Sequence, residues 1–105
     1  CTRSLTKAEI SKGYEINTGK VIVETLASKH KTPEEMPGII VAGHGPFTWG
    51  KDISEAVYHS IVLEEVAKMA YQTFNLNKAV LPIEDYLSEK HYQRKHGVNA
   101  YYGQK

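Results

Sequence analysis

The chain has one cysteine, Cys1, so no disulfide can form within it, which agrees with a reducing compartment. No charge of one sign prevails: 13 Lys and Arg stand against 12 Asp and Glu, interspersed, for a formal net charge of +1. The electrostatic footprint of a nucleic-acid or anionic-membrane binder is therefore missing, and neither partner is expected. No apolar run reaches the length of a membrane span, and the opening CTRSLTKAEI lacks the apolar core of a signal peptide. The expected location is the cytoplasm. There is no low-complexity tract or repeat, and 105 residues at 41% hydrophobic content have the size of one ordinary domain. The chain opens on Cys rather than Met, and its first residues already read as the start of a helix. It is expected to lack an N-terminal portion.

What is present is concentrated in residues 38–50, GIIVAGHGPFTWG, where an apolar run delivers His44 into a glycine-flanked turn. A strand that stops at Gly43, His44, Gly45 and Pro46 places an imidazole at a strand end, where side chains converge on ligands. Gly43 and Gly45 relieve steric limits on either side, and Pro46 fixes the exit. A neutral imidazole in such a turn is a good zinc ligand, but a histidine there is more often a turn residue hydrogen-bonded to backbone, and the motif alone leaves both readings open.

In chain order, Thr6 followed by Glu9 forms a capping box that opens a short helix through about Tyr14, with Gly13 near its end. Residues 20–26, KVIVETL, are β-branched and short, which predicts a strand followed by a polar loop. Residues 39–42 form the next strand, and 46–50 continue extended, with Phe47 and Trp49 on one face. Asp52 and Glu55 make a second capping box, from which a helix runs to about Phe74 with an apolar stripe of Ile53, Val57, Ser60, Leu63, Ala67, Ala70 and Phe74. Glu64 projects inside that stripe, so it is expected to be hydrogen-bonded or ion-paired, or else part of a site. His59 lies at the stripe's margin as a boundary residue. Pro82 and Gly97 bracket a last helix over 83–96, whose final turn carries Arg94, Lys95 and His96 in keeping with the helix dipole. The closing KHYQRKHGVNAYYGQ is rich in tyrosine and base. It can bind an anionic group, supply a phenol for acid/base work, or simply be a solvated helix end with a flexible terminus.

Taken together and in order, GHGPFTWG, EAVYHSIVLEEVA and KHYQRKHGVNAYYGQ closely resemble the bacterial L-ribulose-5-phosphate 4-epimerases. The segments CTRSLTKAEI and GYEINTGKVIVET are similar to the middle of that family's chain, so the resemblance spans essentially all of the sequence. The HGPF turn is shared with the wider class II sugar-phosphate aldolase superfamily, and the tyrosine-rich tail points to the epimerase branch. The resemblance implies an α/β fold with a central, mostly antiparallel sheet flanked by helices, residues 1–105 being the C-terminal part of a single domain. It implies a Zn2+ cofactor with His44 as the last of three zinc-binding histidines, Tyr102 as the catalytic tyrosine, His91 lining the same site and Glu15 near it. It also implies a homotetramer whose sites are shared between neighbouring identical subunits. The substrate it implies is a small sugar phosphate, interconverted between L-ribulose 5-phosphate and D-xylulose 5-phosphate by reversible retro-aldol cleavage, in arabinose, other pentose or ascorbate routes.

The sequence departs from the family in one respect. The family's His-x-His zinc pair, catalytic aspartate and phosphate-binding serine and glycine loop lie upstream of the position matching Cys1, and no His-x-His occurs among His30, His44, His59, His91 and His96. A catalytic zinc takes three protein ligands and one open position, so the chain alone is expected neither to bind zinc tightly nor to catalyse. Two other readings stand beside the epimerase: a class II aldolase that releases its cleavage products, and a non-catalytic assembly fragment of the same fold.

Overall fold

A computed structural model describes residues 1–103. The chain divides into two units, Cys1–Ala70 and Tyr71–Lys105. Its elements are α1 (Lys7–Ser28), β1 (Gly38–Val41), β2 (Gly45–Thr48), α2 (Ile53–Leu76) and α3 (Asp85–His96). α2 runs across the boundary between the units.

In the first unit α1 starts where the Thr6–Glu9 box predicts. The Thr6 hydroxyl accepts from the Glu9 N–H at 3.2 Å, while the Glu9 carboxylate accepts from the Thr6 N–H at 2.7 Å. The helix does not end at Gly13. There the backbone swings to φ +146°, a conformation glycine tolerates, and the helix then resumes. The Asn17 amide spans the break by donating to the Glu9 carbonyl at 2.8 Å.

Residues 20–26, expected as a strand, are therefore the second half of α1. Their buried side chains, with Thr18, are Val21, Thr25 and Leu26, which recur at helical spacing and not at period two. The Thr18 and Thr25 hydroxyls donate to the carbonyls of Tyr14 and Val21, one turn back, so these β-branched residues are accommodated in the helix. Arg3 ties both halves of α1 to the opening segment. Its guanidinium donates to the Glu9 carboxylate at 2.9 and 3.0 Å and to the Glu24 carboxylate at 2.9 and 3.0 Å.

β1 and β2 form a two-stranded antiparallel hairpin, pairing Gly38 with Thr48, Ile39 with Phe47, Ile40 with Pro46 and Val41 with Gly45. The expected central sheet is thus represented by this hairpin among the described residues. The Ile40 carbonyl accepts from the Thr2 N–H at 2.9 Å, so the polar groups of Ile40 face away from β2. Its partner Pro46 correspondingly turns its N-substituted side to the outer edge, where the missing N–H disrupts no ladder bond. Val21, Ile39 and Val41 make the core, with Leu5, Ile22, Phe47 and Trp49 packed against it. Phe47 and Trp49 do share a face, as their spacing predicts.

α2 begins at the second box. The Asp52 carboxylate accepts from the Glu55 N–H at 2.8 Å, and Glu55 accepts from the Lys51 N–H at 2.7 Å. The hairpin is fastened to its first turns: the Thr48 hydroxyl donates to the Ala56 carbonyl at 3.0 Å, and His59 Nδ1 lies 2.7 Å from the Trp49 carbonyl. His59 is half-buried, as a boundary residue should be. The predicted apolar stripe, however, is largely uncovered: none of the α2 residues is buried, and of the stripe only Leu63 is half-buried. Glu64 is exposed, 3.8 Å from Lys68 Nζ, which also reaches Glu65 at 2.8 Å. Its ion pair is there, but on the surface, because the short hairpin leaves most of α2 without a surface to pack on.

In the second unit α3 starts at Asp85, with Glu84 at the cap position, rather than at Ile83. Gly97 closes it as expected, its N–H donating to the Gln93 carbonyl at 2.8 Å. Arg94, Lys95 and His96 occupy the last turn. The tail then folds back over this turn, and the N–H groups of Tyr101 and Tyr102 both donate to the Arg94 carbonyl at 3.0 Å.

Candidate functional site

The bend between β1 and β2 is a turn closed by the His44 N–H donating to the Val41 carbonyl at 3.0 Å, with Gly43 at φ +72°. A positive φ at the third position of such a turn favours glycine. This geometry lifts His44 out of the hairpin. The imidazole is exposed and lies between two aromatic rings: Tyr14 stacks on it with centroids 5.9 Å apart and planes 27° apart, and Phe47 meets it at 5.0 Å and 42°.

Below the ring is a cavity of about 230 Å³. Its walls come from the opening segment (Leu5), from α1 (Ile10, Tyr14, Thr18) and from the turn (Val41, His44). Tyr14 follows the Gly13 kink directly, so the break in α1 sets where this phenol stands. Sequence reasoning placed His44 here but missed Tyr14 and Phe47. The signal available was the glycine before Tyr14, a point where a helix changes direction.

Glu15, next to Tyr14, is exposed. Its carboxylate is not among the residues that line the cavity. His91 and Tyr102 belong to the second unit. His91 is exposed on α3. The Tyr102 ring has the Arg94 guanidinium over its face at 4.3 Å and Lys95 Nζ at 5.7 Å from its centroid. Lys90 Nζ lies 5.7 Å from the Tyr101 ring centre, and Tyr92 stacks on His96 at 4.8 Å. Among the described residues no group of three or more His, Cys, Asp or Glu could hold a metal ion. No described helix is long and apolar enough to cross a membrane.

Residues 4–71, which include α1, the hairpin and most of α2, match the model of the class II aldolase and adducin N-terminal domain. The chain belongs to that family. Within this class II aldolase family member the matched residues hold His44, Tyr14 and Glu15, whereas His91 and Tyr102 lie beyond them. The similarity to individual proteins runs further. L-ribulose-5-phosphate 4-epimerase UlaF of Salmonella paratyphi C (strain RKS4594) is 56% identical over 105 residues, as is UlaF of Salmonella choleraesuis (strain SC-B67). UlaF of Salmonella typhi is 54% identical over the same 105 residues. Each match covers 100% of this chain and 45% of the relative. The class II aldolase family chain thus spans less than half the length of the curated relatives it matches.

Proposed function

We propose that this chain is part of an L-ribulose-5-phosphate 4-epimerase, interconverting L-ribulose 5-phosphate and D-xylulose 5-phosphate. The observation that carries the reading is 56% identity to a UlaF epimerase along every one of the 105 residues, tail included. In this reading residues 1–105 form the C-terminal part of one domain, and the protein is a cytoplasmic homotetramer with sites shared between neighbouring subunits. Its metal is zinc and His44 one of the ligands. One imidazole does not fit a catalytic zinc, which takes three protein ligands, so the other ligands come from residues outside this chain.

The reaction inverts C4. The C4 hydroxyl gives up its proton as the C3–C4 bond breaks, and the bonding electron pair passes to the C2 carbonyl. Because the phosphate is on C5, the pieces are glycolaldehyde phosphate and the enediolate of dihydroxyacetone. The aldehyde rotates, the carbon–carbon bond re-forms on its other face, and a proton returns to the C4 oxygen. Two faces of one carbon require acid/base groups on opposite sides. Tyr102 is one of them through its phenol. His91 lines the same site, and Glu15 stands near it.

The test is native mass spectrometry with metal analysis, together with an epimerase assay, on the protein as isolated from its source. The expected result is a zinc-bearing oligomer that forms D-xylulose 5-phosphate, in which Tyr102→Phe cuts turnover but leaves bound zinc nearly unchanged. Net release of glycolaldehyde phosphate and dihydroxyacetone would make it an aldolase. A metal-free, inactive species built only from 11.8 kDa chains would make it a non-catalytic fragment.

A further inference from the structure

We propose that Arg94 is the positioning residue for Tyr102, holding the phenol ring through a guanidinium laid over its face; this rests on the epimerase reading, in which Tyr102 moves a proton. Arg94 makes two separate connections to the tail. Its carbonyl accepts the N–H groups of Tyr101 and Tyr102 at 3.0 Å each, which turns the chain back over the end of α3. Its guanidinium carbon then lies 4.3 Å from the centre of the Tyr102 ring. Arg94 is half-buried, and its Nε is shielded from solvent with no hydrogen-bond partner among the described residues. That leaves the ring face as the principal described partner of the cation. A planar guanidinium stacks on an aromatic ring as a flat plate and limits its tilt, which a point charge does less well.

The two connections are separable by mutation. The backbone bonds to the Arg94 carbonyl survive any side-chain replacement, so the fold-back remains while the plate over the ring is removed. Proton transfer depends steeply on the position of the donor atom, and Tyr102, 50% exposed, has much of its ring open to solvent. The Arg94 guanidinium, the nearer of the two cations over the ring, limits where the hydroxyl can stand before substrate arrives.

The experiment is a double-mutant cycle on the full-length epimerase, reading kcat and KM separately. Arg94→Gln should lower kcat by roughly three- to thirtyfold, the range expected from losing a cation over a ring, with KM little changed. Arg94→Lys should recover part of the loss. In a Tyr102→Phe background Arg94→Gln should cost nothing more, because Arg94 acts only through the hydroxyl. An equal loss in both backgrounds would overturn the inference, as would an unchanged kcat for Arg94→Gln. Full activity in Tyr102→Phe itself would instead remove the acid/base role on which the inference rests. A fall in assembly or metal content in Arg94→Gln that Arg94→Lys does not reverse would mark a structural role and reject positioning.

Discussion

His44 and Tyr14 stack with ring centroids 5.9 Å and planes 27° apart, although one belongs to a hairpin turn and the other to a helix. Their contact joins the Gly13 kink to the Gly43 turn, so the two glycine-dependent bends of the first unit set one another's position. Replacing Tyr14 by Leu should remove the ring contact, costing about 0.5–1.5 kcal/mol, whereas Tyr14→Phe should cost close to nothing. Denaturant unfolding of the full-length protein measures the first effect. The His44 ring resonances report the second: they should move in Tyr14→Leu and stay near their place in Tyr14→Phe. Unmoved resonances in both variants would show that the rings do not meet in solution.

The Arg3 clamp makes stability depend on acid. The Arg3 guanidinium, followed by the Thr6 N–H and hydroxyl, holds the Glu9 carboxyl at about 2 against its ordinary 4.5, and the Glu24 carboxyl is lowered by the same guanidinium. A carboxyl with a lowered folded value binds its proton less readily folded than unfolded. Its contribution is complete above about 4.5 and is lost as pH falls from there toward about 2. Melting temperatures measured across that window should fall with pH, and less steeply in Glu9→Gln. Because Arg3 and Glu24 are exposed and Glu9 is only half-buried, salt should weaken the effect. A slope identical in wild type and Glu9→Gln would assign the acid sensitivity elsewhere.

Two glycines should respond to alanine for different reasons. At Gly43 a Cβ would meet open space, so the cost is the positive φ alone, about 1 kcal/mol, and Asn should be tolerated better than Ala. At Gly50 a Cβ would lie 2.8 Å from Glu55 Cβ and 2.9 Å from the Ala56 nitrogen, so the first turn of α2 must shift. Gly50→Ala should therefore destabilise more than Gly43→Ala in equilibrium unfolding. The reverse order would contradict the packing of the hairpin exit against α2.

Much of the fold was legible because its signals are local. Thr6–Glu9 and Asp52–Glu55 mark helix starts through bonds that span three residues, and Gly97 ends α3 by the same short-range logic. The strand and turn around His44 and the extended segment after them needed only glycine, proline and an apolar run, while the antiparallel pairing of the two strands was not foreseen. Residues 20–26 were misleading because Val21, Ile22, Val23 and Thr25 carry β propensity, while what decides their state is the distant packing of Val21 with Ile39 and Val41. Glu64 has the expected ion pair but not the expected burial, because nothing in a periodic pattern says how much of a helix its neighbours will cover. At the candidate site the histidine was legible from its turn. Its aromatic flanks were not, since Tyr14 reaches it across 30 residues of chain through a kink.

Pro46 has one more consequence. Of the hairpin's two margins, one is occupied by Thr2, and the other presents a residue that has no N–H to offer. A stray strand approaching from the β2 side finds the ladder interrupted at its middle, and one approaching from the β1 side must first displace Thr2. The hairpin that carries His44 is thereby poorly suited to recruit foreign strands, a safeguard against aggregation written into the same few residues that shape the turn.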